Sequence, residues 1–199
     1  MRIRTLATTC LMLVAISAAG CGRDTHVSPG PQVLNFAGTT WQVTDGKWQV
    51  DGDTLSGSGG HLMTTEQFGD GSFDVEVETP AMGDRTVGIG FRVTGSEGQN
   101  GYAFNFTAAQ TFNVFKGTAN NWQPVNPAAT TFQHSDVLQP NRNALHLEMA
   151  GDRYRVWVNG QQLADFQDAT YTKGHYNLWV ESSGWTVKFT NLRIKSAAV

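Results

Sequence analysis

Residues 72–80 read SFDVEVETP. Successive side chains of an extended strand point to opposite faces. Phe73, Val75 and Val77 therefore share one face, and Asp74, Glu76 and Glu78 share the other. Paired carboxyl groups are the machinery of glycoside hydrolysis: retaining enzymes hold them about 5–5.5 Å apart, one as nucleophile and one as acid and base. A strand rises about 3.3 Å per residue, which sets Glu76 and Glu78 roughly 6–7 Å apart at the backbone. Asp74, Glu76 and Glu78 are thus candidate catalytic carboxylates, with Glu76 and Glu78 also candidate ligand contacts. The alternative is a hydrated outer strand face.

A second stretch, TVGIGFRV at 86–93, has the same period. Val87, Ile89, Phe91 and Val93 fall on one face, leaving Gly88, Gly90 and Arg92 on the opposite one. Two glycines side by side allow something to approach the backbone closely, and an arginine at the end of such a trough offers a fork of five donors. Arg92 in that position either contacts a ligand or neutralises Glu76 or Glu78 across the sheet. Asn105, in NGYAFNF, shares the trough face and can hydrogen-bond a ligand. Trp122, in ANNWQPVNP, stands outside any core alternation and could serve as a flat platform for a sugar ring. Trp157 and Trp179 fall out of phase with the core positions around them, which places them on a sheet face. Trp41, Trp48 and Trp185 are expected to cover sheet edges.

These residues need a scaffold, and the period of two persists from residue 33 onward. Alternation predicts strands near 47–51, 61–65, 72–79, 86–94, 100–107, 110–116, 143–150, 153–158, 161–166, 174–181 and 185–195. Turn chemistry separates them, with TDG, DGD, GSGG, AGD and VNG among the signals. Asn159-Gly160 supplies the positive φ angles of a two-residue hairpin. Many short strands without a helical stripe leave two packed antiparallel sheets or a closed barrel. The chain of 199 residues suits one such domain. Residues 117–142 have the weakest pattern and read as a long, functional or loosely packed loop.

The N-terminus carries a different signal. MRIRT precedes an apolar run ending in small residues, the pattern of a secretory signal. AAGC at 18–21 resembles the lipobox of bacterial lipoproteins, with Ala18 where that motif most often has Leu. The resemblance implies that Cys21 becomes the lipidated first residue. The expected organisation is a signal segment over 1–21, a polar tether over 22–32 and a β-sandwich over 33–199, with acyl chains holding the protein to a lipid membrane. By the sorting rule of enteric bacteria, Gly22 after the cysteine directs it to the outer membrane of a two-membrane host. Cys10 and Cys21 are the only cysteines, so the exported domain has no disulfide.

Several chemistries find no support. The net charge is −3 and the basic residues are scattered singly, which gives no surface for nucleic acid. The five histidines lack metal-ligand spacing, so no zinc is expected. No metal or cofactor is required, although the Asp-rich turns at 51–53 and 69–72 could hold a structural calcium through oxygens. Nucleophile elbows, phosphate loops and dinucleotide fingerprints are lacking.

Taken in order, WQVTDGKWQVDGDTLSGSG, FGDGSFDVEVE, VGIGFRV, NGYAFNF, NALHLEMAGDRYRVWVNGQQL and GHYNLWVESSGWTVKFTNLRI resemble the concanavalin A-like lectin/glucanase superfamily, within it laminin-G-like jelly rolls and 3-keto-disaccharide hydrolase-like domains. The resemblance covers about 33–195 and implies an all-β, antiparallel two-sheet jelly-roll sandwich. It further implies that Arg92 lies on the concave face and helps hold sugar hydroxyls. Ala103 stands where such domains often carry an acid after Gly-Tyr. Retaining enzymes of glycoside hydrolase family sixteen share the fold and carry E-x-D-x-E or E-x-D-x-x-E on a strand, whereas the order here is D-x-E-x-E. The resulting expectation is an exported, lipid-anchored protein whose jelly roll binds carbohydrate without cleaving it. A glycoside or 3-keto-disaccharide hydrolase and a cell-envelope adhesion module are the alternatives.

Overall fold

The computed structural model describes residues 31–80, 85–95, 98–126 and 132–197. Cys21, the signal segment and the tether up to residue 30 lie outside the described residues. Among the described residues there are sixteen strands and no helix. The first six are β1 (Val33–Phe36), β2 (Thr39–Val43), β3 (Lys47–Asp51), β4 (Thr54–Ser58), β5 (Gly60–Thr64) and β6 (Gly71–Glu78). Then come β7 (Thr86–Thr94), β8 (Asn100–Thr107), β9 (Thr111–Thr118), β10 (Asn121–Pro124) and β11 (Gln133–His134). The last five are β12 (Arg142–Ala150), β13 (Arg153–Val158), β14 (Gln161–Gln167), β15 (His175–Val180) and β16 (Val187–Ser196).

They form two antiparallel sheets. One runs β1-β2-β5-β15-β7-β8-β9-β10, with β11 also on β9; the other runs β14-β13-β12-β6-β16-β4-β3. Alternation sorts the side chains as the strand period demands. Phe73, Val75 and Val77 from one sheet meet Ile89, Phe91, Phe104 and Leu178 from the other, all within 3 % of full burial. Trp41, Trp48 and Trp185, expected at the edges, are buried members of this core. The stretch 117–142 is less loose than its sequence indicates, because β10 and β11 both pair with β9. Asn159-Gly160 does form a hairpin bend, with φ of 49° and 79°.

The alternation fails at one decisive place. Arg92 was expected on the outer face beside Gly88 and Gly90; instead it is 1 % exposed, inside the sandwich. Its φ is +50°, and both ladders flanking β7 slip register around it. A bulge adds a residue to one strand and re-aims the side chains that follow. The flanking strands make room with glycine: a Cβ at Gly174 would stand 2.4 Å from the Arg92 carbonyl carbon, and one at Gly101 2.8 Å from the Arg92 oxygen.

Once inside, the guanidinium joins the two sheets. Nη1 donates to the carbonyls of Gly151 at 2.7 Å and Tyr171 at 2.8 Å, and to the Tyr154 hydroxyl. Nη2 donates to Asp70 at 2.6 Å, whose other oxygen accepts the Gly151 N–H. The fork also packs on the Tyr154 ring, 4.8 Å from its centroid. Neither earlier role fits this location: Arg92 faces no open groove, and its acid is Asp70 rather than Glu76 or Glu78. Asp70, one of the residues considered for calcium, spends its carboxylate on this clamp.

Candidate functional site

The outer face of the β5-β15-β7-β8-β9-β10 sheet holds a groove of about 400 Å³, within the range of small-ligand pockets. Its walls are tryptophans laid over glycines. Trp179 on β15 is opposite Gly88 on β7, which is opposite Asn105 on β8. A Cβ at Gly88 would stand 1.6 Å from the Trp179 indole nitrogen, so the ring occupies the space that any other residue would claim. Trp122 on β10 repeats the device over Gly117 on β9, where a Cβ would come within 2.7 Å of the indole. Absent side chains thus let both rings lie along the sheet instead of standing off it. Between them Gly90 and Ala103 form the floor, and Phe115 and Asn177 line the sides.

The polar groups are amides and one imidazole. The Trp179 N–H donates to Asn105 Oδ1 at 3.1 Å, which fixes the indole in its plane. His61 on β5 stacks against the other side of Trp179, with centroids 5.8 Å apart and planes 14° from parallel. His61 Nδ1 and Asn177 Oδ1 are 3.2 Å apart, within hydrogen-bond reach, which ties the imidazole to the amide. The Asn177 amide nitrogen and the Asn120 side chain add donors at the groove. Among the described residues, none that lines the groove is an aspartate, glutamate, lysine or arginine. Such a surface can stack on apolar ring faces and exchange neutral hydrogen bonds, but it offers neither a carboxyl pair nor an anchor for full charge.

Asn105 and Trp122 therefore meet in one site, and Trp179 joins them from the sheet face expected of it. His61, Asn177 and Phe115 are further members, brought in by strand order rather than by any local motif. Arg92 is excluded by its bulge. Glu76 and Glu78, expected as contacts to the same ligand, lie on the outer face of the other sheet, across the core from the groove.

On that opposite face the three β6 carboxylates are each engaged. Asp74 accepts from His146 Nδ1 at 2.6 Å, Glu76 pairs with Arg142, and Glu78 pairs with Lys188 at 3.1 Å. The hydrogen bond from Arg142 is the main cause holding Glu76 below its ordinary value, the wrong direction for a general acid. His146 also bonds Glu148 through Nε2 at 3.2 Å. Burial works against its protonation, but the bonds to Asp74 and Glu148 outweigh burial and raise its pKa. Glu148 in turn pairs with Arg155 at 2.6 Å, and Arg155 packs on Trp157 at 5.3 Å. Trp157 is on the outer face, as expected, but in this network of charge pairs and not in the groove.

Comparison with solved structures finds the same sandwich in other proteins. A carbohydrate-binding module, CBM66 from Bacillus subtilis, superposes with a TM-score of 0.66 at 18 % identity, covering 78 % of this chain and 95 % of that one. A β-1,3-1,4-glucanase derived from a mouse hindgut metagenome gives 0.56 at 11 % identity, over 79 % and 93 % of the two chains. A Bacillus subtilis protein of unknown function with a galectin-like fold gives 0.54 at 15 % identity, over 79 % and 90 %. At such identities the likeness is one of fold, a concanavalin A-like jelly roll. No curated protein matches the sequence. A family model does, and its match over residues 30–195 takes in all of the sandwich but the last residue of β16: the chain belongs to the family of the 3-keto-alpha-glucoside-1,2-lyase-like domain.

Proposed function

We propose that the groove between Trp122 and Trp179 binds a carbohydrate and does not cleave it. The observation that carries this reading is the pair of indole rings seated on Gly88 and Gly117, with amide side chains between them and no acid among the described lining residues. A sugar presents the complement: apolar ring faces for the indoles and hydroxyls that both donate and accept. Replacing Trp122 and Trp179 together by alanine removes both platforms. Binding to a glycan array by the wild-type domain, abolished in that double variant, is the expected result; retention of the wild-type pattern refutes the reading.

The family match supports a second reading, lyase or hydrolase chemistry on keto-disaccharides. Ala103 on the groove floor, where the resembling domains often carry an acid, argues against it. Incubating the protein with 3-keto-glucosides decides the matter, since turnover lost on changing groove residues would establish catalysis there.

Location completes the proposal. AAGC with Cys21 supports export and acylation, the polar residues 22–32 holding the sandwich off the membrane. Fatty-acid labelling that is lost in Cys21→Ser, with release of the protein from the membrane fraction, is the expected outcome.

A further inference from the structure

The strand register says how long the ligand is. Trp179 lies at the level of Gly88 and Asn105, whereas Trp122 lies at the level of Gly117 and Gly101. Along β8 those two levels are four residues apart, Asn105 to Gly101. At about 3.3 Å per residue this is roughly 13 Å along the strands. The Trp179 ring covers β7 and the Trp122 ring covers β9, two strand spacings apart, which adds roughly 10 Å across the sheet. The backbone positions beneath the two rings are therefore about 16 Å apart on a diagonal, with the Gly90 and Ala103 floor at its middle level. One sugar ring stacked on Trp179 cannot touch Trp122.

The two platforms also differ in how they are held. Trp179 is fixed by Asn105 and by the His61 stack, leaving its face as a rigid wall. Trp122 makes no hydrogen bond through its indole N–H among the described residues, so that donor is open to a ligand hydroxyl. From this geometry we infer that the groove takes an uncharged oligosaccharide of more than two rings, laid diagonally across β7, β8 and β9, one unit stacked on Trp179 and another on Trp122. The inference rests on the groove being the carbohydrate site and adds the ligand's length and neutrality. An acidic glycan would bring charge to a lining that, among the described residues, has no lysine or arginine to meet it.

The test is a glycan array of neutral and acidic sugars from monosaccharides upward, followed by calorimetric titration of each hit against its shorter and longer homologues. Affinity is expected to rise by about tenfold or more once the ligand spans both rings, an increment of about 1.4 kcal/mol. Trp122→Ala and Trp179→Ala, each checked for an unchanged thermal transition, should each remove that increment, and Trp122→Phe should restore part of it. Monosaccharides binding as tightly as their oligomers, acidic glycans leading the hits, or one tryptophan proving dispensable for the long ligand would overturn the inference while leaving a sugar site in place. Binding of no glycan at all would instead overturn the proposed function beneath it.

Discussion

The guanidinium of Arg92 lies 4.8 Å from the centre of the Tyr154 ring, and that contact joins the two sheets through a residue with almost no exposure to solvent. β7 contributes the arginine, β13 the tyrosine, and the turns at Asp70 and Gly151 complete the set. A buried fork of this kind costs desolvation that its carboxylate, carbonyl and phenol partners must offset. Arg92→Met should therefore destabilise the fold by about 3 kcal/mol. Arg92→Lys should recover little, because an ammonium cannot serve carbonyls, phenol and carboxylate at once. Urea denaturation measures both, and glycan affinity of the folded protein should stay at the wild-type value.

Glycine-to-valine changes probe the platforms without touching them. At Gly88 a new side chain collides with the Trp179 nitrogen and with Asn105 Oδ1, the latter 2.4 Å from the added Cβ. Valine suits a strand, so folding should survive while Trp179 is displaced. A loss of affinity of about tenfold, with an intact circular-dichroism spectrum, is expected for Gly88→Val and likewise for Gly117→Val.

Two alanines occupy left-handed backbone. Ala37 has φ of 53° in the β1–β2 turn, and Ala119 has 49° in the β9–β10 turn. Asparagine tolerates that region better than alanine, which pays about 1 kcal/mol there. Ala37→Asn should raise the melting temperature by about 2–4 °C. Ala119→Asn should do the same, with the added benefit of firming the hairpin that carries Trp122.

His146 predicts a pH dependence. Its pKa in the folded protein lies above the ordinary 6.5 because Asp74 and Glu148 bond its ring, their effect exceeding that of burial. The folded state therefore holds the proton more tightly than the unfolded chain. The resulting stabilisation is complete below 6.5 and is lost as pH rises through the raised value. Denaturation at about pH 6 and about pH 9 should show this difference for the wild type and a smaller one for His146→Gln.

Much of this structure can be read from spacing. Alternation put Phe73 inward and Asp74 outward, and placed Gly88, Asn105 and Trp179 on the outer face, because each lies in a strand whose pairing is regular around it. Arg92 escaped the same count because a bulge shifts every side chain after Phe91. Its signature is spread over two other strands, in Gly101 and Gly174, whose missing side chains admit the distorted backbone. His61 and Asn177 are separated by 116 positions, and only the adjacency of β5 and β15 makes them neighbours. Glu76 and Glu78 were assigned to the same ligand as Asn105 for the converse reason: alternation tells which side of a sheet a residue faces, but not which of the two sheets its strand joins.

The lack of aspartate, glutamate, lysine and arginine among the described groove residues also governs how a ligand arrives. Long-range attraction guides charged partners to charged clefts and fades as ionic strength increases. A cleft whose described lining is indoles, amides, glycines and one imidazole has little to fade, so capture and release should proceed at nearly the same speed in dilute buffer and in brine.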